Sequence, residues 1–297
     1  MKHSHRSGRK GHGFDKHRPG GGNRRFDKPR QGGGGPKHRT ETRPAESRPP
    51  REGIYLWGLH AVRAAWLNPK RRCIRLWVTE AGQAAMEKTL AEGRSLDLAR
   101  PEAKIMERRE LDSLPPPGSV HQGIVLDAAP LPEPLLHEVI EGETPPDLVL
   151  ALDQITDPHN VGAIARSAAA FGAGAIVMTE RNAPGLTGVL AKSASGAIEH
   201  VPLIHIVNLA RAIEELQQAG YWCVGLAEEG GRDLGACDLT GRTALILGAE
   251  GEGLRQLTRK KCDELARLPT QGPIGSLNVS NAAAVALYEV RRQKNKF

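Results

Sequence analysis

The sequence predicts an α/β protein whose larger part is a parallel sheet covered by helices on both faces. Three observations predict it. From residue 147 onward, short apolar runs recur and are separated by segments of helical periodicity. The runs are apolar at consecutive positions, not alternate ones, which is the pattern of strands buried on both sides. Polar and Gly-rich stretches follow the runs directly, at the strand ends where such sheets hold ligands.

The first fifty residues stand apart. They hold 14 Lys and Arg against 4 Asp and Glu, while the remainder holds 27 against 30. The net charge of +7 therefore belongs to this segment, and the body is near neutral. The segment is rich in Gly, Arg, Lys and His and nearly lacks aliphatics. It cannot bury enough apolar surface to offset its ordering entropy, so residues 1–52 read as a disordered basic tail. A flexible cation binds polyanions by releasing counterions, which points to a nucleic acid as a partner. A plain solubility tail is the alternative.

No apolar core follows the basic start, so no secretory signal is expected. No run approaches the ~20 apolar residues a membrane span needs. The four cysteines, Cys73, Cys223, Cys237 and Cys262, include no C-x-x-C pair, so neither a zinc ribbon nor a disulfide framework is expected. These features together suggest a reduced, cytoplasmic, soluble chain without membrane or metal partners.

Patterned sequence begins near residue 53. "LHAVRAAWL" sets Leu59, Val62, Ala65 and Trp66 on one helical face. "CIRLWVTE" (73–80) reads as a strand, "AAMEKTLAEG" as a helix ended by Gly93, and "HQGIVLDAAP" (121–130) as a closing strand. These make a small α/β module over 53–129. Residues 130–146 carry five prolines and several acids, a composition suited to a linker.

The main domain then spans 147–297. Its strand candidates are "DLVLALD", "AIVMT", "VPLIHI", "YWCVGLAE" and "TALILGAE". Its helix candidates are "NVGAIARSAAAFG", "GVLAKSASGA", "NLARAIEELQQAG", "GLRQLTRKKCDEL" and "SNAAAVALYEVRRQ".

Three polar stretches follow strands. In "DPHNVGAIARSAAAFG", Pro158 and Asn160 mark a turn, Gly162 permits close backbone approach, and Arg166 sits among small residues. A surface Arg lying along its helix is the plain alternative. His159 beside this motif reads as a turn-stabilising residue. In "LILGAEGEGL", a strand runs into Gly248, Glu250, Gly251, Glu252 and Gly253. No Lys-Ser/Thr follows, and two carboxylates would repel a pyrophosphate, so a P-loop is excluded. In "ARLPTQGPIGSLNVSNAA", Leu268 and Leu277 flank a loop whose backbone groups suit an adenine edge. Ser276, Asn278, Ser280 and Asn281 then crowd one helix mouth, where a single N-cap would suffice. Capping and ligand binding both remain open at this point. No Ser-His-Asp triad, metal cluster or in-line nucleophilic Cys presents itself in this segment.

Taken in order, these three motifs closely resemble those of the SpoU/TrmH family of RNA ribose 2′-O-methyltransferases, in the SPOUT superfamily. The resemblance is to its bacterial 23S rRNA guanosine group, and it covers about 147–297. The 53–129 module looks like that group's L30e-like substrate-binding domain. The resemblance implies a deep C-terminal trefoil knot, a homodimer, S-adenosylmethionine as cofactor and 23S rRNA as substrate. Transfer RNA, or a non-catalytic ribosome-assembly role, is the alternative. It further implies that Asn160, Arg166, Glu250, Ser276 and Asn278 are catalytic. Gly248, Leu268 and Leu277 are implied to bind the cofactor. Asn160 and Glu250 would orient Arg166 or the ribose, and one of the four polar residues at the helix mouth would cap while the others line the pocket.

Overall fold

The computed structural model describes residues 53–273 and 275–295. The basic tail expected over residues 1–52 lies outside them. The described chain opens with β1 (Ile54–Trp57), α1 (Leu59–Leu67), β2 (Cys73–Val78), α2 (Glu80–Ser95), β3 (Ala103–Ile105), α3 (Arg108–Leu111) and β4 (Ile124–Ala128). These strands form a sheet in the order β1-β4-β2-β3, with β4 antiparallel to both β1 and β2. The strand expected to close the module is thus an interior one, buried along its whole length. Helix α1 buries Val62, Ala65 and Trp66, as its periodicity requires. Helix α2 is capped by the Thr79 hydroxyl, which accepts from the Gly82 amide.

Gly93 does not end α2, contrary to the sequence expectation; the helix continues to Ser95. A Cβ at Gly93 would lie 2.7 Å from the Trp66 indole nitrogen. The glycine is there for close packing of α2 on α1, not as a terminator.

The remainder comprises α4 (Leu136–Ile140), β5 (Leu148–Asp153), α5 (Pro158–Ala170), β6 (Ala175–Thr179), α6 (Gly188–Ser193), β7 (Leu203–Ile206), α7 (Leu209–Gln218), β8 (Trp222–Leu226), β9 (Arg232–Asp233), β10 (Thr243–Gly248), α8 (Gln256–Lys261), β11 (Glu264–Arg267) and α9 (Val279–Asn295). The seven strands are ordered β7-β6-β5-β10-β8-β11-β9, and every pairing is parallel. Alternate residues of the apolar strands face opposite layers. Leu148, Leu150, Leu152, Ile176, Met178, Leu245 and Leu247 pack with α5, α6 and α9. Val149, Ala151, Ala175, Val177, Ala244 and Ile246 pack with α4 and α7. Runs of consecutive apolar residues are what such two-sided burial demands.

Two further expectations change. "GLRQLTRKKCDEL" is not one helix: α8 stops at Lys261, Cys262 is extended, and Glu264–Arg267 joins the sheet. Asp263 fixes that switch by accepting from the Cys223 amide at 2.8 Å and from Gln217 Nε2 at 2.8 Å. The 130–146 segment is not a bare connection either. It contains α4, whose Leu136 and Ile140 are buried against the sheet and α7.

The two sheets also share one core, because the cluster that contains Leu56, Val62 and Trp66 runs on through Leu150, Ile164 and Leu190. At its edge lies a buried ion pair. Arg71 Nη2 is 2.6 Å from Glu199 Oε1, with side-chain exposures of 0% and 1%. Asn68 Nδ2 donates to the same carboxylate at 2.8 Å, and Arg71 Nη1 donates to the Ala129 carbonyl at 2.7 Å. The pair joins the loop after α1 to the 3-10 turn Ala197–Glu199. Removing one partner strands the other charge away from water. Arg71→Met is therefore expected to cost about 3–5 kcal/mol in denaturant unfolding, and Arg71→Met/Glu199→Met to recover most of it. A single variant as stable as the parent chain would contradict this.

Candidate active site

Three loops meet beyond the carboxyl ends of β5, β10 and β11. The first leads into α5, where Asp157 caps the helix by accepting from the His159 amide at 2.9 Å and Pro158 occupies its first turn. With Asp157 capping, the Asn160 side chain is left for other contacts. Gly162 lies where α6 crosses, and a Cβ there would sit 2.5 Å from Ser193 Cβ. His159 Nδ1 is 3.1 Å from Ser193 Oγ across the same contact.

The second loop is the Gly-rich turn. Gly253 donates its amide to the Ala249 carbonyl at 2.9 Å, and Gly251 and Gly253 have φ of 79° and 65°. A Cβ on Gly248 would fall 2.1 Å from the Gly253 carbonyl carbon, so the turn folds back over its own strand. Its base is anchored by Asp153, which is fully buried and accepts from the Arg255 amide at 3.0 Å and from Arg255 Nε at 2.6 Å. Such charge-assisted bonds are the strong ones.

The third loop leads into α9. Asn278 Oδ1 accepts from the Ser280 amide at 2.9 Å and from the Ser280 hydroxyl at 2.5 Å, so this residue is the helix cap. Its amide nitrogen turns the other way. Asn278 Nδ2 donates to Glu250 Oε1 at 2.6 Å and to Asn160 Oδ1 at 3.1 Å. Asn160 Nδ2 donates to the same Glu250 oxygen at 3.1 Å, and the Val279 amide adds a contact of 3.3 Å. Glu250 thus sits at the amino end of α9 and against the first turn of α5. Free amides and helix dipoles favour a carboxylate there. Capping and bridging, which the sequence reading assigned to different residues, fall to the two ends of one asparagine.

The other expected site residues are placed less closely. Ser276 and Leu277 are exposed on the loop before Asn278, and Leu268 packs half-buried on the core at the end of β11. Arg166 is not with the ring. It lies six residues beyond Asn160, about 9 Å along α5 and roughly 240° around it. It is exposed and lines a separate cleft with His60 and His200. Within this chain Asn160 and Glu250 bond to each other and to Asn278, and among the described residues no hydrogen bond joins either to Arg166. Asp153 and Arg255 went unnoticed in the sequence. Their one signal was a carboxylate ending an otherwise wholly apolar strand.

The SpoU rRNA methylase family model matches residues 147–288. A model for RNA 2′-O ribose methyltransferase substrate binding matches residues 55–134. A 23S rRNA (guanosine-2′-O-)-methyltransferase RlmB of Pseudomonas putida is 41% identical over 243 residues, covering 80% of this chain and 96% of its own. The chain belongs to the SpoU rRNA methylase family. The RlmB of Coxiella burnetii is 40% identical over 245 residues, 80% of this chain and 95% of that one. Among solved structures, the SpoU methyltransferase AviRb from Streptomyces viridochromogenes, in complex with AdoMet, superposes with a TM-score of 0.67. It is 26% identical and covers 82% of this chain and 90% of its own.

The two roles of Asn278 are separable. Asn278→Ala is expected to lower unfolding free energy by about 1 kcal/mol, and Asn278→Ser, which keeps a capping oxygen, to recover most of it. Equal losses in chemical unfolding would contradict the capping assignment.

Proposed function

We propose that this chain transfers a methyl group from S-adenosylmethionine to the ribose 2′-hydroxyl of a nucleotide, a guanosine, in 23S rRNA. The observation that carries the proposal is the hydrogen-bonded ring of Asn160, Glu250 and Asn278, which draws three loops together at the strand ends. The relatives' printed activity supports the substrate and reaction, and the AviRb complex supports the cofactor. In this reading 53–129 binds RNA, 130–146 connects, and 147–297 is catalytic, with its carboxyl-terminal crossing forming the trefoil knot. The chain works in the cytoplasm. Among the described residues no helix is long and apolar enough to cross a membrane, and no group of three or more His, Cys, Asp or Glu is placed to hold a metal ion.

The residues present suit the cofactor. Leu277 is 43% exposed beside the polar ring, an apolar surface that gains by being covered. Leu268 and the Gly248 strand end offer a second apolar wall and backbone groups. Gly248, Leu268 and Leu277 would hold S-adenosylmethionine, with Ser276 closing the same wall. When bound, it supplies an electrophilic methyl on a good leaving group. The protein's part is to align the sugar oxygen and to manage its proton.

Arg166 takes the electrostatic share of that part, and the hydroxyl proton leaves to solvent water. Its guanidinium is a positive charge that steadies the developing alkoxide and holds the adjoining phosphate. Its position on another face of α5 from the ring implies that it serves the ring of a second copy. The exposed α9 face supports pairing of two chains: Val285 and Tyr288 are 48% and 49% exposed, one turn apart. An isologous homodimer would cover them and complete two shared sites.

Mapping ribose methylation in rRNA of a deletion strain tests the activity. One 23S position should lose its methyl group, and the parent gene should restore it where Arg166→Ala does not. No change in that map refutes the reaction. Mixing inactive Arg166→Ala and Glu250→Ala subunits is expected to restore about a quarter of the activity if sites are shared between copies. No restoration refutes the sharing.

A further inference from the structure

Away from the ring, between α1 and α5, lies a cleft of about 300 Å³. Its polar groups are His60 of α1, Arg166 of α5, and Ser195 and His200, which flank the turn after α6. Among the described residues no carboxylate lines it. The nearest acid in sequence, Glu199, is locked with Arg71 in the buried ion pair, so its charge is already answered. The walls between the polar groups are alanines and Gly196.

The floor of the cleft is built at a cost. Ser195 has φ of 51° and Gly196 φ of 94°. A Cβ on Gly196 would sit 2.5 Å from Ala64 Cβ, so only glycine lets this turn close onto α1. Strained backbone held by surrounding structure often marks functional sites. The same turn carries the Glu199 that anchors to Arg71, and its last amide, that of His200, donates to the Ala197 carbonyl at 3.0 Å. His60 and His200, both exposed, are therefore presented to the same cleft as Arg166.

We propose that this cleft is a phosphodiester subsite, in which His60, Arg166 and His200 hold the RNA backbone next to the nucleotide being methylated. The proposal rests on the RNA methyl-transfer reading and adds the groups that register the strand. A lining that offers a guanidinium and two imidazoles and excludes carboxylates suits an anion. Backbone contacts of this kind set position without reading sequence.

The test uses the full chain and deproteinised 23S rRNA, with S-adenosylhomocysteine present so that binding is read without turnover. His60→Ala/His200→Ala is expected to weaken RNA affinity about fivefold or more, with S-adenosylhomocysteine affinity held within about twofold. His60→Gln/His200→Gln, which keeps an N–H donor at each position, is expected to recover most of the loss. Unchanged RNA affinity in the alanine pair, with an unchanged melting temperature, overturns the subsite. Equal losses in the alanine and glutamine pairs overturn it too, because shape alone would then matter. A parent chain that binds this RNA and transfers no methyl group refutes the methylation reading, while the comparison of affinities still decides the subsite.

Discussion

One carboxylate oxygen of Glu250 accepts from Asn160, Asn278 and the Val279 amide, and so ties together segments more than a hundred residues apart in the chain. Each contact alone is a modest surface hydrogen bond. Together they fix the relative positions of the first turn of α5, the Gly-rich turn and the start of α9. The charge is well placed, because the amino ends of helices favour an anion and the bonds are charge-assisted. Behind it stands a second carboxylate. Asp153 has no solvent exposure and grips Arg255 at the far end of the same turn. The inner carboxylate anchors the turn, and the outer one gathers the neighbouring loops.

The same economy joins the two sheets. The buried Arg71–Glu199 pair would be a poor source of stability on its own, since desolvation offsets much of the attraction. Its value is orientation. With the shared apolar core, it fixes the 53–129 module against the strand-end loops through a short 3-10 turn. In the proposed reaction one ribose must reach a site on the other sheet, and loose coupling would spread that sugar over many positions. Lys192 adds to the seam by donating to Gln122 at 3.1 Å, and partial burial holds its ammonium below the usual lysine range.

Much of the fold could be read from residue order alone. β5, β6 and β10 announce themselves because burial on both faces makes their interior positions consecutively apolar, with polar residues only at their ends. β11 does not, since Glu264 and Arg267 are charged and it follows α8 with only Cys262 and Asp263 between. Helix α4 was hidden because five prolines outweigh a five-residue amphipathic turn. Gly93 was misread because a glycine that relieves crowding looks in sequence like one that ends a helix. For the site, Asn160, Glu250 and Asn278 were legible as polar residues after strands. Their mutual bonding was not, since it depends on which way each amide points. The separation of Arg166 from them follows from helix geometry, six residues being far from a whole number of turns.

The role of Glu250 as the shared acceptor is tested most directly by a double-mutant cycle. Affinity for S-adenosylmethionine is measured by calorimetry for the parent chain, Glu250→Ala, Asn278→Ala and the pair. Loops held by a common bond should show a coupling of about 1 kcal/mol or more, because either substitution alone already releases the other partner. Losses that add to within about 0.5 kcal/mol would mean that the two residues act independently, and that the ring does not organise the site.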